Sequence, residues 1–466
     1  MSEISIGQAE PAVVITPPME PRTYRLLHGP IVPTLIRMAL PNVLVMLAQA
    51  STGLIETWWL SHLGTDVLAG MALVFPGVML IQMVSGGAIG GGISSAIARA
   101  LGGGRRETAN ALVLHAILIN IGFALFFSVV MIAFGTPFYR LLGGRGAELE
   151  AAVTYSDIVF GGSIFLWLTN AFASVIRGTG NMSLPAGAIC VSVVILVPLS
   201  PLLIFGWGPI PAMGVAGGGT ALVLSNALVM VLLGWYVLSG RNLARFTLAR
   251  LQWVLFSDVL RVGAVAAVSA LQTNFTIILA TSLVASYAGA QAVAGYGTGA
   301  RLEYLLIPVV FGLGAPLVAL VGTNIGAGQT ARALRIAFTG AGIAFAITET
   351  VGIVAAIWPQ AWLALFSADP QMMETGALYL RIVGPTFGFF GMGLALYFAS
   401  QGAGRLLWPL LAGACRVVVA VGGGWLTLRL TGSLNWLFAA LALGLVLYGV
   451  GLFAAVGSGV WFRERR

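Results

Sequence analysis

The sequence predicts an all-α integral membrane protein, and three observations point to that class. Of the 466 residues, 59% are hydrophobic and only 8% are charged, against about 25% charged in an ordinary soluble domain. The mean hydropathy is +0.98. Apolar stretches long enough to cross a bilayer, which takes roughly 20 residues, recur along the whole chain. So few charges cannot cover a soluble surface, which excludes a soluble enzyme, a nucleic-acid-binding protein and a disordered scaffold.

Twelve such stretches are separated by turn residues and charges, and we interpret each as a transmembrane helix. An isolated spanning segment has to satisfy its own backbone hydrogen bonds, and a helix does so. Several stretches exceed the length needed and are expected to tilt or to extend beyond the bilayer. The predicted spans are 33–61, 67–98, 110–136, 152–176, 183–206, 215–238, 255–287, 291–322, 333–358, 374–400, 405–428 and 434–461.

The arginines predict the orientation in the membrane. The chain has no lysine, and the cytoplasmic loops of membrane proteins collect basic residues. With the N-terminus inside, only Arg140, Arg145 and Arg429 fall in outer loops, whereas most of the 23 arginines fall in cytoplasmic segments. We therefore expect a multi-pass protein of the inner (plasma) membrane with both termini in the cytoplasm. The segment before the first span lacks the apolar core of a signal peptide.

An internal repeat divides the chain into two halves. LGTDVLAG at 63–70 matches AGAQAVAG at 288–295 with an offset of 225. Each half contains six of the predicted helices. Because six is an even number, both halves insert with the same orientation, and they enclose a central cleft. A second match, between GTGNMSLP at 178–185 and GAGRLLWP at 402–409, pairs Gly178 with Gly402, Gly180 with Gly404 and Pro185 with Pro409.

The repeat and the arginine-rich loop between the halves give the domain organisation. The loop SGRNLARFTLARLQWV separates the sixth predicted span from the seventh. We accordingly predict a pair of parallel six-helix pseudo-repeats that form a V-shaped transporter. The predicted units are a cytoplasmic tail at 1–29, an N-lobe at 30–238, a cytoplasmic linker at 239–254 and a C-lobe at 255–466.

Few ionisable residues lie within the predicted spans, and each is a functional candidate because charge in hydrocarbon is expensive. Glu56 is the foremost, in the outer half of helix 1, with Thr52 one turn before it on the same face. Burial favours the neutral acid, so Glu56 could take up and release a proton. The alternative is a carboxylate that reaches water at the outer boundary. Four further residues are candidates for transport or for structural ion pairs: Arg301, Glu303, Glu349 and Arg381.

Neutral polar residues within the spans suit the wall of a substrate cavity. Helix 7 contains SALQTNFTIILATS, and the repeat offset makes Asn274 the counterpart of Gln49 in helix 1. Hydrogen bonds between helices are the alternative use of such side chains. The candidate cavity residues of this kind are Gln49, Asn170, Gln272 and Asn274.

The sequence shows no signature of an enzyme or of a metal site. It has no P-loop, and its two cysteines and three histidines are scattered without metal-ligand spacing. Cys190 and Cys415 each lie inside an apolar stretch, so a disulfide framework is not expected. We therefore expect no catalytic residue, no metal and no cofactor other than H⁺ or Na⁺ as a coupling ion.

Five segments, by their order and spacing, carry a resemblance to a known family. They are PTLIRMALPNVL at 33–44, ASTGLIETWWLSHLGTDVLAG at 50–70, SPLLIFGWGPIPAMGVAGGGTA at 200–221, YGTGARLEYLLIP at 296–308 and VGTNIGAGQTARA at 321–333. Over essentially its whole length the chain resembles the multidrug and toxic compound extrusion (MATE) family. The resemblance implies two six-helix lobes in a V shape and antiport of mostly cationic or amphipathic organic compounds against H⁺ or Na⁺.

Compared residue by residue, the resemblance favours protons as the coupling ion. The family's helix-1 acid falls on Glu56, which the resemblance makes the proton or cation binder. Where similar members carry Asp and Asn in helix 5, this chain has Ser200 and Leu196. Acids that some relatives place in helices 7 and 10 are missing as well. A multi-carboxylate Na⁺ site is therefore not expected, because a hard cation takes several oxygen ligands.

Other classes fit the sequence less well. The major facilitator class shares twelve helices and repeated halves, but ARALGGGRRETA at 98–109 lacks the acid of its loop after helix 2. A flippase for lipids or lipid-linked precursors of the same superfamily would more often show extra helices and a strongly cationic cavity. A membrane-embedded enzyme would need a polar catalytic cluster. We therefore predict a monomeric antiporter whose partners are a small-molecule substrate and the lipid bilayer, without nucleic acid.

Overall fold

The protein is helical almost throughout. The structure, a computed structural model, describes residues 20–462, and within this range the only β-type pairing is a single bridge between Trp207 and Ile210. The predicted all-α fold class is thereby confirmed. Most of the predicted tail, at 1–19, and the chain end at 463–466 lie outside the described residues.

Nine helices precede the predicted linker, and they follow the predicted spans closely. A π-helix, Met83–Ile89, joins α3 to α4, and α6 and α7 meet at a bend of 45°. The helices are α1 Pro21–His28, α2 Ile31–Ser61, α3 Thr65–Gln82, α4 Gly90–Gly102, α5 Arg106–Leu141, α6 Gly146–Gly161, α7 Ser163–Gly178, α8 Ser183–Phe205 and α9 Val215–Leu238.

Eight helices make up the second half. A 3₁₀ turn, Gly384–Thr386, joins α13 to α14, and a π-helix, Val418–Gly423, joins α15 to α16. The helices are α10 Trp253–Gly326, α11 Thr330–Ile357, α12 Pro359–Leu363, α13 Pro370–Val383, α14 Phe387–Gly402, α15 Leu407–Val417, α16 Gly424–Thr431 and α17 Leu434–Gly457.

The longest helix, α10, is divided at Gly289. Its 74 residues would span about 110 Å at 1.5 Å per residue, far more than the ~30 Å hydrocarbon core. Gly289 has φ 78° and ψ −173°, which are not helical values, so two helices meet there. By length and composition, the described chain has 10 helices able to cross a membrane, and the bent α6–α7 pair is an eleventh. The predicted twelve crossings require that the two parts of α10 cross separately.

The backbone repeats between the halves at its turn glycines. Glycine reaches the left-handed region of φ at no steric cost, so a tight turn at the end of a helix favours it. Three pairs, offset by 224 or 225 residues, share this conformation: Gly64 and Gly289 with φ 124° and 78°, Gly104 and Gly328 with 72° and 73°, and Gly180 and Gly404 with 81° and 70°.

The repeat also extends to the packing of helices within each half. A Cβ on Gly178 would lie 2.9 Å from the Ser94 carbonyl oxygen, and one on Gly402 would lie 2.6 Å from the Val318 carbonyl oxygen. Ser94 and Val318 are themselves offset by 224. Pro185 and Pro409 are each the third residue of their helices, α8 and α15, where proline removes no intrahelical hydrogen bond. Each half therefore uses the same contacts.

The segment between the halves packs on the first half. Between α9 and α10 the described chain contains no helix. The backbone N–H of Arg245 donates to Asn110 Oδ1 at 2.7 Å, and that of Gln252 donates to His115 Nε2 at 3.0 Å. Both acceptors lie on α5. The linker is therefore held against the first half by hydrogen bonds to buried or half-buried side chains.

The two halves approach most closely where α4 meets the end of α10. A Cβ on Gly102 would lie 2.0 Å from the Thr323 carbonyl oxygen, and one on Gly326 would lie 2.1 Å from the Arg99 carbonyl oxygen. Gly102 and Gly326 are offset by 224, as are Arg99 and Thr323. The same contact is thus made twice about a pseudo-two-fold axis, and neither glycine has room for a side chain.

Polar contacts join the halves at the same place. Arg99 Nη2 donates to both carboxylate oxygens of Asp258 at 2.8 Å. Ser95 Oγ donates to the Gly402 carbonyl oxygen at 3.0 Å. The ends of α4, α10 and α14 therefore form one contact between the halves. We call it the closed interface, made of Ser95, Arg99, Gly102, Asp258, Thr323, Gly326 and Gly402.

Candidate functional site

A cavity of about 330 Å³ opens within the first half. Its walls come from α2, α3, α6, α7, α8 and α9. Glu56 is the one lining residue that carries a formal charge, and the other polar groups of the described lining are neutral. We call this space the N-half cavity. Its single carboxylate is the one group of the described lining that attracts positive charge.

Glu56 lies on α2 and is buried, with 5% of its surface exposed. The Tyr155 hydroxyl, on α6, donates a hydrogen bond to Glu56 Oε1. No arginine or histidine forms an ion pair with Glu56 within residues 20–462. A buried carboxylate with only a neutral donor is costly to ionise, so binding a proton or a cation stabilises it.

Thr52 lies on the same face of α2, as the spacing predicts, and also lines the N-half cavity. Its Oγ1 donates to the Ala48 carbonyl oxygen at 3.1 Å, one turn earlier. The hydroxyl proton is therefore used within the helix, while the lone pairs of the oxygen remain available to the cavity. Thr52 and Glu56 thus present two oxygens to the same space.

Gln49 and Asn170, both predicted as cavity residues, line the same cavity as Glu56. Asn170 Nδ2 donates to Ser85 Oγ at 2.7 Å. Ser85 is fully buried in the π-helix that joins α3 to α4. An extra residue in a helical turn changes the direction of the following side chains and is frequent at functional sites. Here the π-helix contacts α7 through the hydrogen bond between Ser85 and Asn170.

The remaining lining combines apolar and small polar side chains. Met71, Phe75 and Met79 supply flexible and aromatic surface from α3, which adapts to substrates of different shape. Leu196 of α8 also lines the cavity, whereas the Ser200 hydroxyl is buried without a hydrogen-bond partner in the described chain. The two positions where similar proteins carry Asn and Asp therefore add no charge beside Glu56.

Glu303 in the second half has a different environment. The Tyr379 hydroxyl donates to Glu303 Oε2 at 2.9 Å, and Arg416 Nη2 lies 3.4 Å from Glu303 Oε1. Tyr379 is offset by 224 from Tyr155, so equivalent tyrosines bind a glutamate in each half. Because Arg416 neutralises Glu303, only the first-half glutamate of this pair has no charged partner within residues 20–462. This group borders a cavity of about 30 Å³, too small for an organic substrate.

The other predicted site residues lie apart from the N-half cavity. Gln272 lines a small separate cavity in the second half, and Asn274 Nδ2 donates to the Ala270 carbonyl oxygen at 2.9 Å. Arg301 and Arg381 are exposed. Glu349 Oε2 accepts a hydrogen bond from the Gly388 backbone N–H at 2.6 Å. The structure thus groups Gln49, Thr52, Glu56 and Asn170 in one cavity and separates them from the second-half candidates.

Tyr155 and Arg416 are the functional-site neighbours that sequence reasoning missed. Tyr155 is 99 residues from Glu56, and Arg416 is 113 residues from Glu303. The sequence did contain a signal for the tyrosine, because Tyr155 and Tyr379 are separated by the repeat offset of 224.

For metal ions the described residues offer no site, since no three His, Cys, Asp or Glu side chains lie together there.

Replacing Arg416 by methionine is expected to destabilise the second half. It leaves the buried Glu303 carboxylate without a counter-charge, which costs about 3–5 kcal/mol. Thermal unfolding in detergent should show a clear fall in Tm. The double variant Glu303→Gln with Arg416→Met removes both charges and keeps the volume, so it should recover most of the loss. Equal Tm values for the single and double variants would contradict the ion pair.

The comparisons with known proteins agree with this architecture. The MatE family model matches residues 41–202 and 264–426, one segment in each half. These segments together cover more than half of the sequence. The chain belongs to the MatE family. The predicted resemblance is thereby confirmed, and so is the prediction of a membrane transporter rather than an enzyme.

Several relatives of this MatE protein match over most of their length. The "FAD transporter" of Shewanella oneidensis is 27% identical over 399 residues, which cover 85% of this chain and 88% of the relative. The "Probable multidrug resistance protein NorM" of Thermotoga maritima is 27% identical over 386 residues, 81% of each chain. The "Multidrug export protein MepA" of Staphylococcus aureus is 23% identical, with 85% and 88% covered.

Solved MATE structures share the fold. The structure titled "Crystal structure of MATE in the bent conformation" has a TM-score of 0.86 at 22% identity and covers 95% of this chain and 99% of its own. The structure titled "Outward-facing conformation of a multidrug resistance MATE family transporter of the MOP superfamily" has a TM-score of 0.83 at 21% identity, with 95% and 99% covered. The MatE chain therefore has the fold of these transporters.

Proposed function

We propose that this transporter exports amphipathic organic cations in exchange for protons, and that Glu56 binds the two in turn. The observation that carries the proposal is the N-half cavity with Glu56 as its one charged lining residue. A proton and an organic cation both neutralise a buried carboxylate. Because one carboxylate cannot be neutralised by both at once, binding of either ion favours release of the other.

The lining of the cavity supports an amphipathic cation as the substrate. Methionine and phenylalanine side chains give apolar contact, and an aromatic face also attracts a cation. Neutral amides and hydroxyls orient polar groups without fixing one structure. The described lining contains no arginine or histidine, so it offers nothing to balance the phosphates of a dinucleotide such as FAD, the substrate named for one relative.

The ligand set at Glu56 supports protons over Na⁺ as the coupling ion. A hard cation takes several oxygen ligands, usually with more than one carboxylate or carbonyl. Here the described contact of Glu56 is the Tyr155 hydroxyl, which donates to it, and Glu56 is the one carboxylate of the described lining. One carboxylate with a hydroxyl donor suits a proton, which needs only one oxygen.

The closed interface supports alternating access between the two halves. In the orientation that the arginine distribution predicts, the ends of α4, α10 and α14 lie at the cytoplasmic side of the inner membrane. The halves touch there through Arg99, Asp258 and the two interface glycines, while Glu56 lies in the half of α2 assigned to the outer side. We therefore assign the structure to the outward-facing state, in which a proton enters and the cation leaves.

Replacing Na⁺ by choline should leave transport unchanged at a fixed pH difference. If Glu56 exchanges protons alone, efflux of a fluorescent organic cation from proteoliposomes depends on the pH gradient and not on Na⁺. The efflux rate in Na⁺ and the efflux rate in choline should agree within about twofold. Collapse of the pH gradient by an ionophore should abolish efflux.

Three other outcomes would overturn the proposal. A transport rate that falls more than tenfold in choline would favour Na⁺ coupling. Uptake of FAD without transport of the dye would favour an anionic substrate. Translocation of a labelled lipid without dye transport would favour the flippase alternative. A vesicle preparation without protein gives the background for all three measurements.

A further inference from the structure

A second and larger cavity lies at the start of α2, whereas Glu56 lies near the other end of the same helix. Its volume is about 630 Å³, and it is bounded by α1, the first turns of α2 and the start of α8. Three arginines line it, Arg22 and Arg25 from α1 and Arg37 from α2. We call it the arginine cavity. It opens beside the part of the chain that the topology prediction places at the cytoplasmic surface.

Among the residues that the structure describes, 20–462, no carboxylate pairs with the arginines of the arginine cavity. All three arginines are exposed. Glu20, the acid next to α1, pairs instead with Arg106, with 3.6 Å between Nη2 and Oε1. Among the described lining residues none is acidic. Guanidinium groups gathered around one space recognise anions with several oxygens, above all phosphate.

An apolar stripe on α2 continues from Arg37 along the helix. Ile36, Leu40, Leu44 and Leu47 recur at the spacing of one helix face, and between 47% and 65% of each side chain is exposed. In a spanning helix such residues face lipid acyl chains. Positive charge at the end of an exposed apolar stripe fits a molecule with an anionic head and a hydrocarbon tail.

We propose that the arginine cavity binds the phosphate of an anionic phospholipid, with an acyl chain lying along Ile36, Leu40 and Leu44. Basic pockets between transmembrane helices at the cytoplasmic side suit such head groups. Soluble phosphate shares the same head-group chemistry, but it makes no use of the apolar stripe. The volume of the cavity accommodates a complete head group as well as its phosphate.

The segment that contains α1 contacts both halves, so a lipid bound to it also affects the closed interface. Asn324 Nδ2 donates to the Leu26 carbonyl oxygen at 3.1 Å, and Arg332 donates to the Gly29 carbonyl oxygen. Leu26 also packs on Gly180 of the first half. The segment thus bridges both halves. A lipid that binds α1 and α2 together stabilises this bridge and with it the closed interface.

The test is lipid binding to the full chain in a neutral detergent. Fluorescent phosphatidylglycerol should bind more tightly than fluorescent phosphatidylcholine. Replacing Arg22, Arg25 and Arg37 by glutamine should raise the Kd for phosphatidylglycerol by about fivefold for each residue and about a hundredfold together. Excess inorganic phosphate should not displace the lipid, because it lacks the acyl chain.

A charge-matched variant serves as the control. Arg140→Gln with Arg145→Gln and Arg429→Gln removes three arginines of the predicted outer side and should change the Kd less than twofold. If the triple variant does not fold, the Kd of Arg37→Gln alone is measured instead and should be about fivefold higher than that of the parent protein. Equal Kd values for the cavity and control variants would overturn the proposal. Displacement of the lipid by an equal concentration of inorganic phosphate would overturn the lipid in favour of a soluble anion.

Discussion

Replacing Gly326 by alanine is expected to open the closed interface and to slow transport by about fivefold or more. The new Cβ would lie 2.1 Å from the Arg99 carbonyl oxygen, and a backbone atom cannot rotate away. Overpacking of this kind costs about 1–3 kcal/mol, which shifts the balance between closed and open states by about 5- to 150-fold. Large buried apolar clusters also lie within the first half and within the second half, away from this glycine contact, so the protein itself should remain folded.

Thiol labelling measures this opening directly. Ser95 is fully buried at the closed interface, so Ser95→Cys in a background without Cys190 and Cys415 should react slowly with a membrane-impermeant reagent applied from the cytoplasmic side. Adding Gly326→Ala should raise the labelling rate by about fivefold or more. Gly102→Ala should have the same effect, because it makes the repeat-equivalent contact with the Thr323 carbonyl oxygen at 2.0 Å.

Gly342→Ala is the matched control. A Cβ at Gly342 on α11 meets nothing within 4 Å, and alanine favours a helix over glycine. Its transport and labelling rates should equal those of the parent protein. Normal transport in both Gly102→Ala and Gly326→Ala would show that the close glycine contact is not needed for the cycle.

The fold could be predicted closely because it depends on the hydropathy pattern and the internal repeat, which are both visible in the sequence. Apolar length defines the helices, and the 224–225 offset, which is visible in the residues themselves, relates Gly64 to Gly289 and Gly102 to Gly326. The bend between α6 and α7 and the π-helix at Met83–Ile89 could not be predicted. Both are local departures from regular helix that tertiary packing determines, and neither changes the hydropathy pattern.

The site could be predicted in part. Glu56 stands out because an acid inside an apolar stretch is rare, and Gln49, Thr52 and Asn170 share its cavity. Its hydrogen-bond partner Tyr155 is far away in the sequence, and an aromatic residue in a membrane span does not by itself indicate a functional site. Arg416, the ion-pair partner of Glu303, was missed because it too is far away in the sequence, at a separation of 113 residues. Arg301 is closer in sequence but faces another direction, as a separation of two residues on a helix requires.

Glu56→Gln is expected to abolish proton-coupled efflux, with a fall of at least a hundredfold in the rate driven by a pH difference. Glutamine keeps the size of the side chain and can accept the hydrogen bond from Tyr155, but it cannot exchange a proton. Because glutamine resembles the protonated acid, the variant should bind the cationic dye more weakly than the parent protein, through the neutral and apolar lining of the N-half cavity alone. Glu349→Gln, a half-buried acid of the second half that accepts a backbone hydrogen bond, should transport normally.

Proton release upon substrate binding tests the exchange at Glu56 most directly. The purified protein is mixed with an organic cation in weakly buffered detergent solution, and a pH indicator records the protons released for each cation bound. At a pH where Glu56 is protonated, we expect about one proton per cation for the parent protein and for Glu349→Gln, and none for Glu56→Gln. Undiminished proton release from Glu56→Gln would contradict the assignment of Glu56 as the group that exchanges a proton for the substrate.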